Sequence, residues 1–324
     1  RGHQDIVQML LNAKNIDVNV STDRNRTALH YAANMGHQDI VQMLLNAKTI
    51  DVNVSTNRTW TALHYAANMG HQDIVQMLLN AINIDVNVMK NDKSWTPLHC
   101  AAKHDHKNIA QMLLNAKDID VNPKTDTGST PLHIAARLGH VNIVKILLDN
   151  NADTNAENES HRTALTEAIR ACEEDTAILL IRRGSPFMSA GKHSPPPLHV
   201  ACKYSCPRVV KALIKKAKSS GQLQAMLEAG YEGFWPLHLA VSQDSLEITS
   251  QLIEAGADVN LRDKNQKTPL IRAATNGNIP VMDYLLARNA FRYTKDRTGQ
   301  DYLQILKRKH PDKYDTQISQ LFRS

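Results

Sequence analysis

Hydrophobic residues along this chain fall in short bursts, each about one helix face long, and the bursts come in pairs. Leu29, Ala32 and Ala33 make a narrow apolar face. After Gly36, a second face is made by Ile40, Val41, Leu44 and Leu45 at helical spacing, with Gln38, Asp39 and Gln42 turned the other way. The pattern predicts two short helices joined by a glycine turn. Thr27 stands where a helix N-cap is needed, and the proline that follows the equivalent threonine in other copies starts a helix without losing a useful amide donor. Neither helix is long enough to be stable alone in water, so each must bury its face against neighbours.

The unit is then repeated. TALHYAANMGHQDIVQMLLNA is written at 27–47 and again, letter for letter, at 61–81. Its leading phrase reads TALH at 27 and 61, TPLH at 96 and 130, TALT at 163, PPLH at 196, WPLH at 235 and TPLI at 268, with Asp301 in the same slot of a degenerate last copy. The steps are 34, 35, 34, 33, 33, 39, 33 and 33 residues. A constant step carrying two helices and a turn-rich connector predicts a stacked helical solenoid. The step of 39 implies an insertion around KSSGQLQAM, 218–226, that extends the second helix or its exit loop. GSPFMSAGKHSPPP, 184–197, keeps the regular step and reads as a connector, not a domain boundary.

The phrase T-P-L-H, the alanine pair, G-H with an apolar quartet, and D-V-N together resemble the ankyrin repeat, over essentially the whole chain. The resemblance implies an all-α repeat solenoid of stacked helix-turn-helix units with β-hairpin or loop fingers. The expected organisation is a partial repeat at 1–26, eight repeats over 27–300 and a degenerate capping repeat at 301–324. The first residues, RGHQDIVQML, match the interior of later copies and lack an initiator Met, so the chain is expected to begin in mid-repeat with upstream sequence lost. Where 252–260 reads LIEAGADVN, the first copies read LLNAKTIDVN, with an added residue and no glycine. Their helix ends must close in another way.

Candidate chemistry changes this picture little. Of the 15 histidines, six (His30, His64, His99, His133, His199, His238) take the fourth place of the phrase and five (His3, His37, His71, His106, His140) follow the turn between helices. Residues that recur once per repeat are framework, and the resemblance makes the first set hydrogen-bond partners of the phrase threonine. No metal-protease, nucleophile-elbow, P-loop, paired C-x-x-C or EF-hand pattern occurs, so neither enzyme activity, a cofactor nor a metal is expected. The four cysteines, Cys100, Cys172, Cys202 and Cys206, read as small core residues of a protein in a reducing compartment, the cytoplasm or the nucleus. No apolar run is long enough for a transmembrane segment.

What differs between the verbatim copies is the connector: NVSTDRNR before Thr27, NVSTNRTW before Thr61, NVMKNDKSW before Thr96. Arg26, Trp60 and Trp95 therefore hold one equivalent position. The resemblance implies that finger tips and the exposed ends of the first helices line a concave groove that binds a protein or peptide partner, with the solenoid itself monomeric. That maps partner binding onto Arg24, Arg26, Met35, Arg58, Trp60, Met69, Lys93, Trp95, Lys103, His104, Arg137, Lys203 and Tyr204. The tryptophans could instead pack on the neighbouring finger. The same resemblance marks Asn53, Asn87, Asn122 and Asn260, each eight residues after a leucine, as candidates for asparagine hydroxylation.

Charge adds a second surface. From Thr176 to Leu227 there is no Asp or Glu, while Arg182, Arg183, Lys192, Lys203, Arg208, Lys211, Lys215, Lys216 and Lys218 are all positive. The whole chain nets +6, so the remainder is acidic by three charges. Arg208, Lys211, Lys215 and Lys218 share helical spacing and predict an exposed stripe, either a solvated face or a site for an acidic partner or other anionic ligand, such as nucleic acid, phosphate or a lipid head group. An ankyrin arm belonging to a larger enzyme or channel fits the same pattern.

Overall fold

The computed structural model describes residues 3–13, 16–57, 60–89, 94–189 and 193–315. Its contacts divide the chain into two units, residues 1–164 and 165–324. In the first, α1 (Gln4–Leu11) is followed by the pairs α2 (Ala28–Met35) and α3 (Gln38–Leu45), α4 (Ala62–Met69) and α5 (Gln72–Leu79), α6 (Pro97–Lys103) and α7 (Lys107–Leu114), and α8 (Pro131–Arg137) and α9 (Val141–Asp149). First helices pack on first helices, α2 to α4 to α6 to α8. Second helices do the same, α1 to α3 to α5 to α7 to α9.

After α10 (Ala164–Arg170), the second unit continues with α11 (Glu174–Arg182), α12 (Pro197–Lys203), α13 (Pro207–Ser219), α14 (Leu223–Leu227), α15 (Pro236–Ser242), α16 (Leu246–Glu254), α17 (Pro269–Asn276), α18 (Ile279–Ala287) and α19 (Tyr302–Lys309). Here α12, α15, α17 and α19 form one layer and α11, α13, α16 and α18 the other. The fold is the expected all-α repeat solenoid.

The alanines set how closely the layers approach. Ala33, Ala67, Ala102 and Ala136 have no exposed surface, and Leu63, Leu98, Val75 and Val144 are equally enclosed. Each fully buried leucine or valine contributes about 1.5–3 kcal/mol, so the stability of helices only seven to nine residues long in this layer comes from stacking. Enlarging one alanine, as in Ala67→Leu, would force the layers apart at a cost of about 1–3 kcal/mol.

Glycine at the inter-helix turn answers two demands. Gly36 and Gly70 adopt φ of 77° and 82°, and a Cβ on either would lie 2.8 Å from the imidazole of the next repeat, His71 or His106. Those imidazoles reach back to carbonyls of the preceding helix end, His71 Nε2 to Asn34 O at 3.3 Å and His106 Nε2 to Asn68 O at 3.2 Å.

The glycine-free helix ends close as follows. The helices stop at Asn46, Asn80 and Asn115 in right-handed or near-helical geometry. The left-handed residue comes later, at Asn83 (φ 62°) and Asp118 (φ 60°). These residue types tolerate that conformation better than most. The insertion sits where the long step placed it: α13 runs for 13 residues, and the extra helix α14 follows. The fingers take the loop form. Among the described residues there is no strand, only an isolated bridge between Tyr231 and Phe234. The fingers before Thr27, Thr61, Thr130, Thr163, Thr268 and Asp301 are tight turns closed by a backbone bond, such as Thr56 N to Trp60 O at 3.0 Å.

Candidate functional site

The phrase histidines fasten each finger. Nδ1 of His64 accepts from the Thr61 amide at 3.2 Å, which fixes the ring's hydrogen on Nε2. That nitrogen then donates to the carbonyl of Trp95 at 2.9 Å. His30 does the same to Trp60 O (2.9 Å), His99 to Ser129 O (3.1 Å) and His133 to Arg162 O (2.9 Å). In the second unit His199 reaches Phe234 O and His238 reaches Lys267 O. There the phrase lacks threonine, and Nδ1 of both rings has no hydrogen-bond partner among the described residues. Burial pushes His64, His99, His199 and His238 down to about 4, because a charged ring would be desolvated.

The residue gripped is always the one before the next phrase, and it is gripped by its backbone carbonyl. The grip itself therefore does not depend on which side chain stands there. Trp60, Trp95, Ser129, Arg162, Phe234 and Lys267 are the side chains so presented, and Arg26 holds the equivalent sequence position before the first phrase. Finger is tied to finger as well: the Asn57 amide donates to Arg24 O at 3.1 Å and its side chain to Asp23 O at 3.0 Å.

Around these positions cations and aromatic rings collect. The Arg26 guanidinium lies 5.8 Å from the Tyr31 ring and 5.5 Å from that of Tyr65. Trp60 meets Tyr65 edge-on at 5.1 Å and stacks on His64 at 6.0 Å. Trp95 leans on His99 at 5.7 Å, with Lys103 Nζ 5.6 Å above its ring. Both tryptophans are half-buried, and these ring contacts are with the first helix of their own repeat.

Met35 (61% exposed) and Met69 (49%) project from the helix ends. Arg24, Lys103, His104 and Arg137 are exposed. His104 is lowered from its ordinary value by partial burial and by Lys103, His106 and His140. Arg58 and Lys93 lie outside the described residues. In the second unit Lys203 is exposed, and Tyr204 sits under Arg170, ring to guanidinium 5.1 Å, with a 2.6 Å bond to its hydroxyl. Phe234 carries two cations, Lys264 at 4.8 Å and Arg272 at 4.7 Å.

Tyr31, Tyr65, Arg170 and Arg272 are not among the residues that the sequence marks for binding. A signal was there for the tyrosines: TALHY places them four residues after the N-cap, one helical turn on and level with the fingers.

The asparagines marked for hydroxylation form a ladder between repeats. Asn53 Nδ2 donates to Asn83 O (2.6 Å) and its Oδ1 accepts from the Asp85 amide (2.9 Å). Asn87 links to Asp118 O and the Asp120 amide in the same way. Asn122 accepts from Asp153, and Asn260 spans Asn289 and Phe291. All four are partly accessible.

Cys100, Cys202 and Cys206 are core residues as expected, but Cys172 is exposed. Its thiol and that of Cys206, one repeat apart, both donate to Tyr204 O, at 3.7 and 3.6 Å. Burial, then the Cys172 thiol beside it, pushes Cys206 up to about 12.

The basic stretch lies on α11 and α13. A cleft of about 570 Å³ between them is lined by Ile178, Ile181, Arg182, Arg208, Lys211, Ala212, Lys215, Lys216 and Ser219. Of the expected stripe it takes Arg208, Lys211 and Lys215 and leaves out Lys218, while adding Arg182 and Lys216. Arg208 is not a free charge: it pairs with Asp175 at 2.6 Å and Glu174 at 3.7 Å.

A family profile described as ankyrin repeats (3 copies) matches residues 1–90, 48–125, 84–158, 117–190 and 198–298. The B-cell lymphoma 3 protein homolog of Mus musculus is 31% identical over 134 residues, 41% of this chain and 30% of the relative. The probable 26S proteasome regulatory subunit p28 of Saccharomyces cerevisiae is 32% identical over 105 residues, 32% of the chain and 44% of the relative. The transient receptor potential cation channel subfamily A member 1 of Drosophila melanogaster is 24% identical over 142 residues, 44% of the chain but 12% of the relative. The chain thus spans less than half the length of the curated relatives it matches. Among its described residues no helix is long and apolar enough to cross a membrane.

Proposed function

The chain belongs to the ankyrin-repeat family, and on that premise we propose that it is a non-catalytic binding scaffold that recognises a protein or peptide through its finger face. The observation that carries this reading is the histidine grip on the carbonyl before each phrase. It holds each finger by its backbone, and the residue at the gripped position varies along the stack: Trp60, Trp95, Ser129, Arg162, Phe234 and Lys267. In the first unit the contact surface is Arg24, Arg26, Met35, Trp60, Met69, Trp95, Lys103, His104 and Arg137, joined by Tyr31 and Tyr65; in the second it is Lys203 and Tyr204. Tryptophan, tyrosine and arginine are the side chains that most often anchor interfaces, and cation-π contacts already hold several of these in place, which lowers the ordering cost of binding. The cytoplasm or the nucleus suits a chain with unpaired cysteines.

The test is Trp60→Ala with Trp95→Ala. Each ring packs on its own helix, so the double variant should lose about 1–3 kcal/mol of stability while remaining folded. It should release the proteins that wild-type protein captures from a lysate of its source. An Ala67→Leu variant, disturbed in the framework alone, should retain them in proportion to its folded fraction. Equal capture by the tryptophan variant would remove the finger face from the interface.

The relatives' lengths favour one further reading, an arm of a larger protein such as an enzyme or channel. Native protein migrating well above 36.2 kDa on a denaturing immunoblot supports it.

A further inference from the structure

We infer that the cleft between α11 and α13 docks an acidic amphipathic segment of a partner protein. The inference depends on the basic stretch being a binding surface and is independent of the finger face.

Three features of the cleft specify this occupant. Its floor is apolar, built from Ile178, Ile181 and Ala212, and its rim is cationic, built from Arg182, Lys211, Lys215 and Lys216. Floor and rim differ in depth for most of their residues: Ile181 is buried and Ile178 and Ala212 half-buried, while Arg182, Lys211 and Lys215 are exposed and Lys216 is half-buried. Finally, Arg208 is held by Asp175 and Glu174 at the start of α13, whereas no described residue forms an ion pair with the four rim cations. A ligand carboxylate would therefore meet cations that have no carboxylate to exchange.

The insertion builds part of this wall. α13 has 13 residues, where α3, α5 and α7 have eight. The longer helix rises about 20 Å at 1.5 Å per residue, and its later turns place Lys215, Lys216 and Ser219 beside Ile181 and Arg182 of α11. The repeat with the irregular step is thus the one that carries the cleft, and its volume of about 570 Å³ is in the usual range for ligand pockets.

Recession of the apolar floor selects among anionic ligands. A flat bilayer surface would meet the lysines and leave the isoleucines uncovered. A nucleic-acid backbone would use the charges and gain nothing from an aliphatic floor, which offers no ring for a base to stack on. A peptide helix or extended segment with a leucine-like side chain between carboxylates covers both, its apolar group entering the floor and its carboxylates meeting the rim.

The experiment measures fluorescence anisotropy on the full chain with four probes: a labelled helical peptide of Glu and Leu with leucines at i, i+4; a Glu and Ser peptide of equal length and charge; a single-stranded DNA oligonucleotide; and phosphatidylserine vesicles by co-sedimentation. The Glu-Leu peptide should bind most tightly, by about tenfold or more over the Glu-Ser peptide, the equivalent of about 1.4 kcal/mol from the floor. Lys211→Glu with Lys215→Glu should weaken it at least about tenfold. Ile178→Ser should weaken the Glu-Leu peptide and leave the Glu-Ser peptide unchanged, with circular dichroism confirming the fold of each variant. Equal affinity for the two peptides overturns the role of the floor. Tighter binding of oligonucleotide or vesicles overturns the occupant. No binding by any probe to wild-type protein overturns the site itself and leaves the finger face to its own tryptophan test.

Discussion

Acid should weaken this protein through its phrase histidines. His64 and His99 in the first unit, and His199 and His238 in the second, are held down from 6.5 to about 4 by burial. In the unfolded chain the same rings take up a proton near 6.5. Between about pH 6.5 and 4 the unfolded state therefore binds more protons, and stability falls as the pH falls through that window. Each ring should remove ~2 kcal/mol by pH 5 and ~3 by pH 4, so two per unit remove ~4 kcal/mol at pH 5, a large part of an ordinary domain's stability. The geometry says why: Nδ1 of His64 already faces the amide of Thr61, and a proton added there would set donor against donor.

Urea denaturation followed by circular dichroism at pH 7 and pH 5 measures the loss. Nuclear magnetic resonance of the imidazole Cε1 protons measures the individual titrations. In the variant His64→Gln with His99→Gln, stability at pH 7 should drop, and the additional loss on going to pH 5 should shrink by about 4 kcal/mol. Native imidazoles titrating near 6.5, or equal denaturation free energies at the two pH values, would refute the neutral-relay reading.

Two further predictions concern other parts of the chain. Asp263 is buried, pairs with Arg272 at 2.5 Å and accepts from the amides of Asn265 and Lys267; Asp263→Ala should cost about 3 kcal/mol in urea denaturation by stranding the arginine, and a loss under about 0.5 kcal/mol would show that the pair is dispensable. If Asn53, Asn87, Asn122 and Asn260 are hydroxylated, peptides from protein isolated from its source should carry one added oxygen at one or more of them, and unmodified spectra at all four end that proposal.

How much of this was legible in the sequence depends on distance along the chain. The period, the helix pairs, the threonine caps and the glycine turns are set by residues within one repeat, where propensity, capping and hydrophobic spacing act locally. Repetition then determined the stacking, because helices this short cannot be stable without an adjacent copy. The long step likewise located the extension of α13 and the added α14.

Contacts between repeats were decided by tertiary structure alone. Arg26 meets Tyr65, and Arg208 meets Asp175, each across about one repeat of sequence. The acid-free window of the sequence begins one residue after Asp175, so the stretch that looked uniformly basic is partly neutralised by carboxylates just outside it. Sequence spacing placed Lys218 on the stripe with Lys211 and Lys215. Whether a residue faces a neighbouring helix or open water depends on where that helix lies, and the cleft beside α11 takes Lys216 instead. A solenoid brings residues about 33 positions apart into contact, so its surface chemistry is read across the stack, while its framework is read along the chain.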